Sequence, residues 1–203
     1  MELSHASQPE AYYLEKGILV PNNCVPVLVY RNVFPVPVDR ESARAHCEGN
    51  HWEMRGEWGP FWDAHFHPNT HECYGLCLSL VKYVNTLPDA SAAILQGSSK
   101  LALGRERVGT TGGAEIHVRA GDVIVVPAGV SHRSLTEDGG YRYIGVYPEE
   151  CPKWRSNWCK GGESMTKLEE EIRAVGVPDH DPVFGKDGPL VVLWKKAMRG
   201  NKL

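Results

Sequence analysis

Two histidines one residue apart, His65 and His67, are followed by His71 and at once by Glu72, and much later a Pro-Ala-Gly turn leads to His132. On a strand, residues i and i+2 share a face. His65 and His67 therefore project together, while Phe66 turns away. A carboxylate placed after the Pro68-Asn69 turn can meet both imidazoles around one ion. The stretch GDVIVVPAGVSH, Gly121 to His132, reads as a strand running into a turn that delivers a third imidazole. Three imidazoles and a carboxylate suit Fe, Mn, Ni, Co, Cu or Zn, whereas Ca or Mg would call for oxygen ligands. The candidate metal ligands are thus His65, His67, Glu72 and His132, and a loosely held Glu72 is also the candidate catalytic proton acceptor. His71 is an alternative ligand to Glu72, but adjacency sends it to the opposite face. Asp63, in parity with His65, and Glu115 are candidates to line the same interior, a solvated or hydrogen-bonded strand-end role being an equal alternative for Asp63. His117 reads as structural, and His5, His46, His51 and His180 have no ligand-like neighbours.

The elements that must hold these residues are mostly short strands. VPVLVYRNV (Val25 to Val33), KLALG, EIHVR, DVIVVP and YRYIGVY are rich in Val, Ile and Tyr, and too short for helices. Their even spacing predicts a β-sandwich or small barrel. Asp39 can cap a helix over Arg40 to Glu48 that stops at Gly49-Asn50. MTKLEEEIRAV, Met165 to Val175, predicts an amphipathic helix ended by Gly176, and LVVLW near the C-terminus reads as a further strand. Trp52, Trp58 and Trp62 are expected in core packing rather than as an aromatic pocket wall. No repeat or linker marks a second domain, so residues 1–203 are expected to form one.

Composition narrows the class further. The 203 residues carry 22 basic and 25 acidic side chains, a formal charge of −3. Collagen, coiled-coil and wholly disordered chains are excluded. No basic block suggests nucleic acid, and no apolar run suggests a membrane span. MELSHASQPEAYYLEKG lacks the apolar centre of a secretory signal, and six scattered cysteines without a CxxC pair are expected as reduced thiols. A cytoplasmic location is the expectation. The final Asn201-Lys202-Leu203 resembles the peroxisomal S-K-L address except at its first position, which leaves the peroxisome as an alternative.

The two histidine segments resemble the paired motifs of the cupin superfamily, G-x5-HxH-x4-E-x6-G and G-x5-P-x-G-x2-H-x3-N. HFHPNTHE, VRAGDVIVVPAGVSHR, GVYPE and DPVFGKDGPL also resemble the small YjlB-like single-domain cupins. The resemblance implies an all-β double-stranded β-helix, the jelly-roll barrel, with short flanking helices and a motif core over about 59–147. By position it assigns one divalent metal to His65, His67, Glu72 and His132. It further implies a homodimer. A small organic substrate and a dioxygenase-like oxidoreductase are the leading expectation. A metal-dependent isomerase or lyase and a non-catalytic binding module remain open, and so does whether the chain is an enzyme at all.

The chain departs from the motifs twice. Thr136 stands where the second motif has Asn, outside the ligand set. In the first motif the closing glycine, Gly97, comes 18 residues late, and removing Leu76 to Ala93 restores the count. That insert, LCLSLVKYVNTLPDASAA, has 11 apolar residues of 18 and only Lys82 and Asp89 charged. Surface insertions are ordinarily polar. Both a retained short intron and a genuine hairpin extension account for it.

Overall fold

The β-branched runs pair into two facing antiparallel sheets. The computed structural model describes residues 8–75, 97–106 and 112–200. The insert Leu76 to Ala93, Cys77 and the final three residues lie outside them. In chain order the first elements are β1 (Glu10–Tyr12), β2 (Val27–Tyr30), α1 (Arg40–Gly49), β3 (Trp52–Trp58), β4 (Glu72–Gly75), β5 (Ser98–Leu103), β6 (Ala114–Arg119), β7 (Val123–Val126), β8 (His132–Ser134) and β9 (Tyr143–Pro148). α2 (Met165–Ala174), the short β10 (His180–Asp181) and β11 (Gly185–Lys186), and α3 (Pro189–Gly200) follow. The larger sheet has the order β1-β2-β7-β4-β9-β3, and the smaller one β6-β5-β8. A bridge between His65 and His132 continues the smaller sheet past β8. This is an all-β jelly roll, with short helices outside it.

Side-chain parity divides the larger sheet between two cores. Val27, Val29, Tyr74, Ile124, Val126 and Tyr143 face inward and meet Leu101, Leu103, Ile116 and Val118 of the smaller sheet. Their alternates, among them Leu28, Tyr30, Cys73, Val125 and Val146, face outward and pack on α1 and α3. Strands covered on both faces carry unbroken apolar runs, which is why β2 and β7 read VLVY and VIVV. On the smaller sheet β6 alternates between buried Ile116 and Val118, which face the inner core, and exposed Glu115, His117 and Arg119.

The helices over Arg40 and Met165 form where the sequence places them. Asp39 caps the first by accepting from Ser42 N at 2.8 Å, and Asn50 follows its end. The C-terminal LVVLW is not a strand but the start of α3. Leu190, Val191 and Trp194 are buried on one face, with Ala197 and Met198 packed behind them, which is helical spacing rather than alternation. Pro189 opens the helix, where a missing N–H costs nothing, and buried Asp181 accepts from Leu190 N at 2.9 Å. Five apolar residues in a row fit a helix and a strand equally well; the wider register decides. Trp52 is fully buried and Trp58 packs against the inner core, as expected, but Trp62 is 54% exposed.

Candidate metal centre

The backbone brings the first two ligand-type histidines beside the third. His65 and His132 sit opposite one another in a bridge, with His132 N donating to His65 O at 2.9 Å. His67, two residues on, accepts at its carbonyl from Gly129 N at 2.8 Å. The intervening turn is closed by Val130 N–H on the Pro127 carbonyl and needs a positive φ at Gly129, where φ is 82°. A Cβ at Gly129 would stand 2.9 Å from the Asn22 carbonyl, so glycine is required there twice over. Glu72 opens β4 opposite Val126 and faces inward with Tyr74.

These placements bring all four candidate residues together inside the barrel. Ligand-type atoms of His65, His67 and His132 lie within 4.8 Å of one another, and all three rings are buried. Glu72 Oε2 stands 3.1 Å from His67 Nε2 and 3.5 Å from His132 Nε2. The other ring nitrogen of each histidine is occupied by a backbone carbonyl: His65 Nδ1 by Asp63 at 3.0 Å, His67 Nδ1 by Arg155 at 3.0 Å and His132 Nδ1 by Val130 at 3.1 Å. A carbonyl can only accept, so each Nδ1 carries a proton; neutral His65 and His132 then keep an Nε2 lone pair free, while His67 Nε2 donates to the Glu72 carboxylate and must lose that proton to ligate. His132 Nε2 is buried and makes no hydrogen bond among the described residues, with Glu72 Oε2 3.5 Å away. An unpaired acceptor inside a protein is costly, and facing imidazoles give a cation the natural place to satisfy it.

The electrostatics agree with that geometry. Burial, followed by the neighbouring His65, pushes the His132 imidazole down to about 3, and burial also lowers His65. Burial pulls His67 down too, but the charge and hydrogen bond of Glu72 outweigh it and hold His67 above its ordinary value. Burial alone would raise Glu72; the charges of His67 and His132 and the Tyr147 hydroxyl bring it down to about 2, so it is ionised. Two tyrosines hold this carboxylate. Tyr147 Oη donates to Oε1 at 2.6 Å and Tyr74 Oη to Oε2 at 3.1 Å.

Other candidates fall elsewhere. Asp63 contributes its carbonyl, but its side chain is exposed and does not line the interior. Glu115 also fails to line it: strand parity turns Glu115 to the outer face of β6, where Lys100 and Arg105 pair with it. His117 is exposed on the same face. His71 lies away from the cluster, as parity requires, yet it is fully enclosed. It accepts from Ala128 N at 3.0 Å and donates to the Gly176 carbonyl at 3.1 Å. The sequence reading missed Tyr147, the three carbonyls and the rings of Phe61 and Trp158, which stand 5.0 and 5.2 Å from the His65 ring. Only Tyr74, two residues from Glu72, carried a usable parity signal. Cys24, Cys47, Cys73, Cys151 and Cys159 are free thiols, and no described helix is long and apolar enough to cross a membrane.

No family model matches the chain. It is 26% identical over 194 residues to the protein YjlB of Bacillus subtilis (strain 168), covering 93% of this chain and 98% of that one. Among solved structures it is similar to the oxalate decarboxylase of Lactobacillus farciminis in complex with formate, with a TM-score of 0.30 and 12% identity over 84% of this chain. It is also similar to the vicilin of Solanum melongena, with a TM-score of 0.26 and 10% identity over 79% of this chain. The chain spans 41% and 35% of the lengths of those two proteins.

Proposed function

We propose that His65, His67, His132 and Glu72 hold one divalent transition metal, and that the protein is a mononuclear metal-dependent oxidoreductase, dioxygenase-like, acting on a small organic substrate. The observation that carries the metal assignment is the hydrogen-bond pattern of the imidazoles. Every Nδ1 is taken by a carbonyl, and His132 Nε2 is left buried without a hydrogen bond among the described residues. The donor set of three imidazoles and one carboxylate fits Fe, Mn, Ni, Co, Cu or Zn. Such an ion, when bound, supplies Lewis-acid polarisation or redox chemistry to an oxygen-donor substrate.

The chain's own residues do the rest. The three carbonyls fix each imidazole in one tautomer and one orientation, so little reorganisation is needed on loading. Glu72 keeps a negative charge in a buried site because two tyrosyl hydroxyls and the neighbouring imidazoles stabilise it. Its Oε2, facing His67 and His132, is the oxygen placed to complete the ligand set, and a carboxylate held this firmly is a weak proton acceptor. The aliphatic lining from β5, β6 and β7 excludes water behind the cluster.

Elemental analysis of the purified full chain tests the assignment, paired with oxygen-uptake assays against small diketones, thiols and hydroxylated aromatics. About one iron per chain with uptake on one of these substrates is the expected result. Zinc in its place, with no uptake, would overturn the oxidoreductase reading in favour of isomerase or lyase chemistry. A metal-free protein that takes up no added ion would defeat the site itself.

A further inference from the structure

Two aromatic side chains beside the cluster pack against one of its rings and offer no ligand atom of their own. The rings of Phe61 and Trp158 lie 5.0 and 5.2 Å from the His65 ring and 6.5 Å from each other, and their planes are 30° apart. Both converge on one ligand-type imidazole, yet they remain 37% and 44% exposed. Leaving large apolar rings half in water beside a buried polar cluster forgoes stability that burial would provide.

Their positions are fixed rather than incidental. Asn157 is paired in both directions with Phe66, the residue between His65 and His67, at 3.0 and 2.9 Å. The Asn157 side chain also accepts from Cys159 N at 3.0 Å and donates to Glu163 at 2.6 Å, so Trp158 is flanked by anchored residues. On the other side, the Phe61 carbonyl accepts from the backbone of Ser134, two residues after His132. Both rings are therefore preorganised relative to the ligands, which lowers the entropy lost when something binds against them. The half-exposed rings offer flat apolar faces beside the buried cluster, which suits a planar aromatic ring.

Building on the metal reading above, we infer that Phe61 and Trp158 form a subsite for a planar aromatic substrate bearing two adjacent oxygen donors. The ring lies against the two side chains and the oxygens point toward the cluster. Phe61 and Trp158 are then specificity residues, not ligands.

The test uses two probes with the same chelating head, benzohydroxamate and acetohydroxamate, titrated calorimetrically into the zinc-loaded full chain, since zinc allows no redox turnover. The phenyl-bearing probe is expected to bind about tenfold tighter, the range of aromatic contacts between exposed and fully buried. Trp158→Ala and Phe61→Ala should each remove most of that preference while leaving zinc stoichiometry and acetohydroxamate affinity unchanged. Trp158→Phe should keep most of it. Equal affinities in the parent protein, or a phenyl preference that survives both alanine variants, would overturn the subsite. Failure to hold zinc would defeat the metal reading and the subsite with it. Zinc held at full stoichiometry without a phenyl preference would defeat the subsite alone.

Discussion

His71 and His132 are both buried imidazoles fastened to the same turn, Pro127 to Val130, and they end with opposite hydrogen-bond balances. His71 uses both nitrogens: Nδ1 accepts from Ala128 N and Nε2 donates to the Gly176 carbonyl, and its ring packs 4.7 Å from Trp194. Burial holds it down to about 4, so it stays neutral. His132 uses only Nδ1, and its Nε2 faces two other imidazoles and a carboxylate. Burial is the same in the two cases, so burial alone does not distinguish a ligand from a fastener. What sets His71 apart is that both of its nitrogens are held by backbone groups, whereas the second nitrogen of His132, like that of His67, is turned to the cluster.

The sharpest way to break this comparison is to remove each ring in turn. His132→Ala should abolish metal retention, from about one ion per chain to a small fraction, as read by elemental analysis after dialysis. A variant that keeps full stoichiometry would show that the free Nε2 is not a ligand. His71→Ala should do the reverse. It leaves a cavity, a buried Ala128 N–H and an unpaired Gly176 carbonyl, and should cost about 3 kcal/mol of stability. For a chain of this size that lowers the melting temperature by roughly 6–12 °C, with metal content unchanged. Loss of metal in His71→Ala at temperatures where the fold persists would erase the distinction.

Sequence parity anticipates part of this difference. The i, i+2 spacing of His65 and His67, and the adjacency of His71 to Glu72, are enough to sort the four residues by face, and the structure sorts them that way. The helices over Arg40 and Met165 are equally legible because caps and periodicity agree there. Parity fails where the partner is backbone. Nothing in the identity of Asp63, Val130 or Arg155 announces that its carbonyl will hold an imidazole; that follows only from three-dimensional register. Tyr147 was hidden for the same reason, since it is distant in sequence and reaches Glu72 only because β9 pairs with β4. LVVLW was misread because a run without polar residues has no period of its own until Ala197 and Met198 are counted.

The carboxylate that completes the cluster invites a smaller perturbation. Tyr147→Phe removes the 2.6 Å hydrogen bond to Glu72 Oε1 and leaves Tyr74 on Oε2. Partners of a metal ligand typically contribute 10–100-fold to affinity. A loss of about tenfold is expected, measured by competition with a chelator. Tyr74→Phe should lose less, because its 3.1 Å bond falls on the oxygen already shared with His67. Equal affinity in Tyr147→Phe and the parent protein would mean that the hydroxyl positions nothing.

Acid should act on the same group through His67. The imidazole must be neutral to ligate, and Glu72 raises its pKa above the ordinary ~6.5 while His65 and His132 are held below it. A raised pKa means that protons compete with metal sooner on acidification. Affinity should therefore be flat above the His67 pKa and fall about tenfold per pH unit below it, with His65 and His132 joining only in stronger acid. Glu72→Gln removes the charge responsible, so the onset should move to lower pH even as overall affinity drops. His71 contributes nothing to this profile, since its ring reaches neither the ion nor the carboxylate. An onset unmoved in Glu72→Gln would place the competing proton on a residue other than His67, and the fall in affinity would then need a different owner.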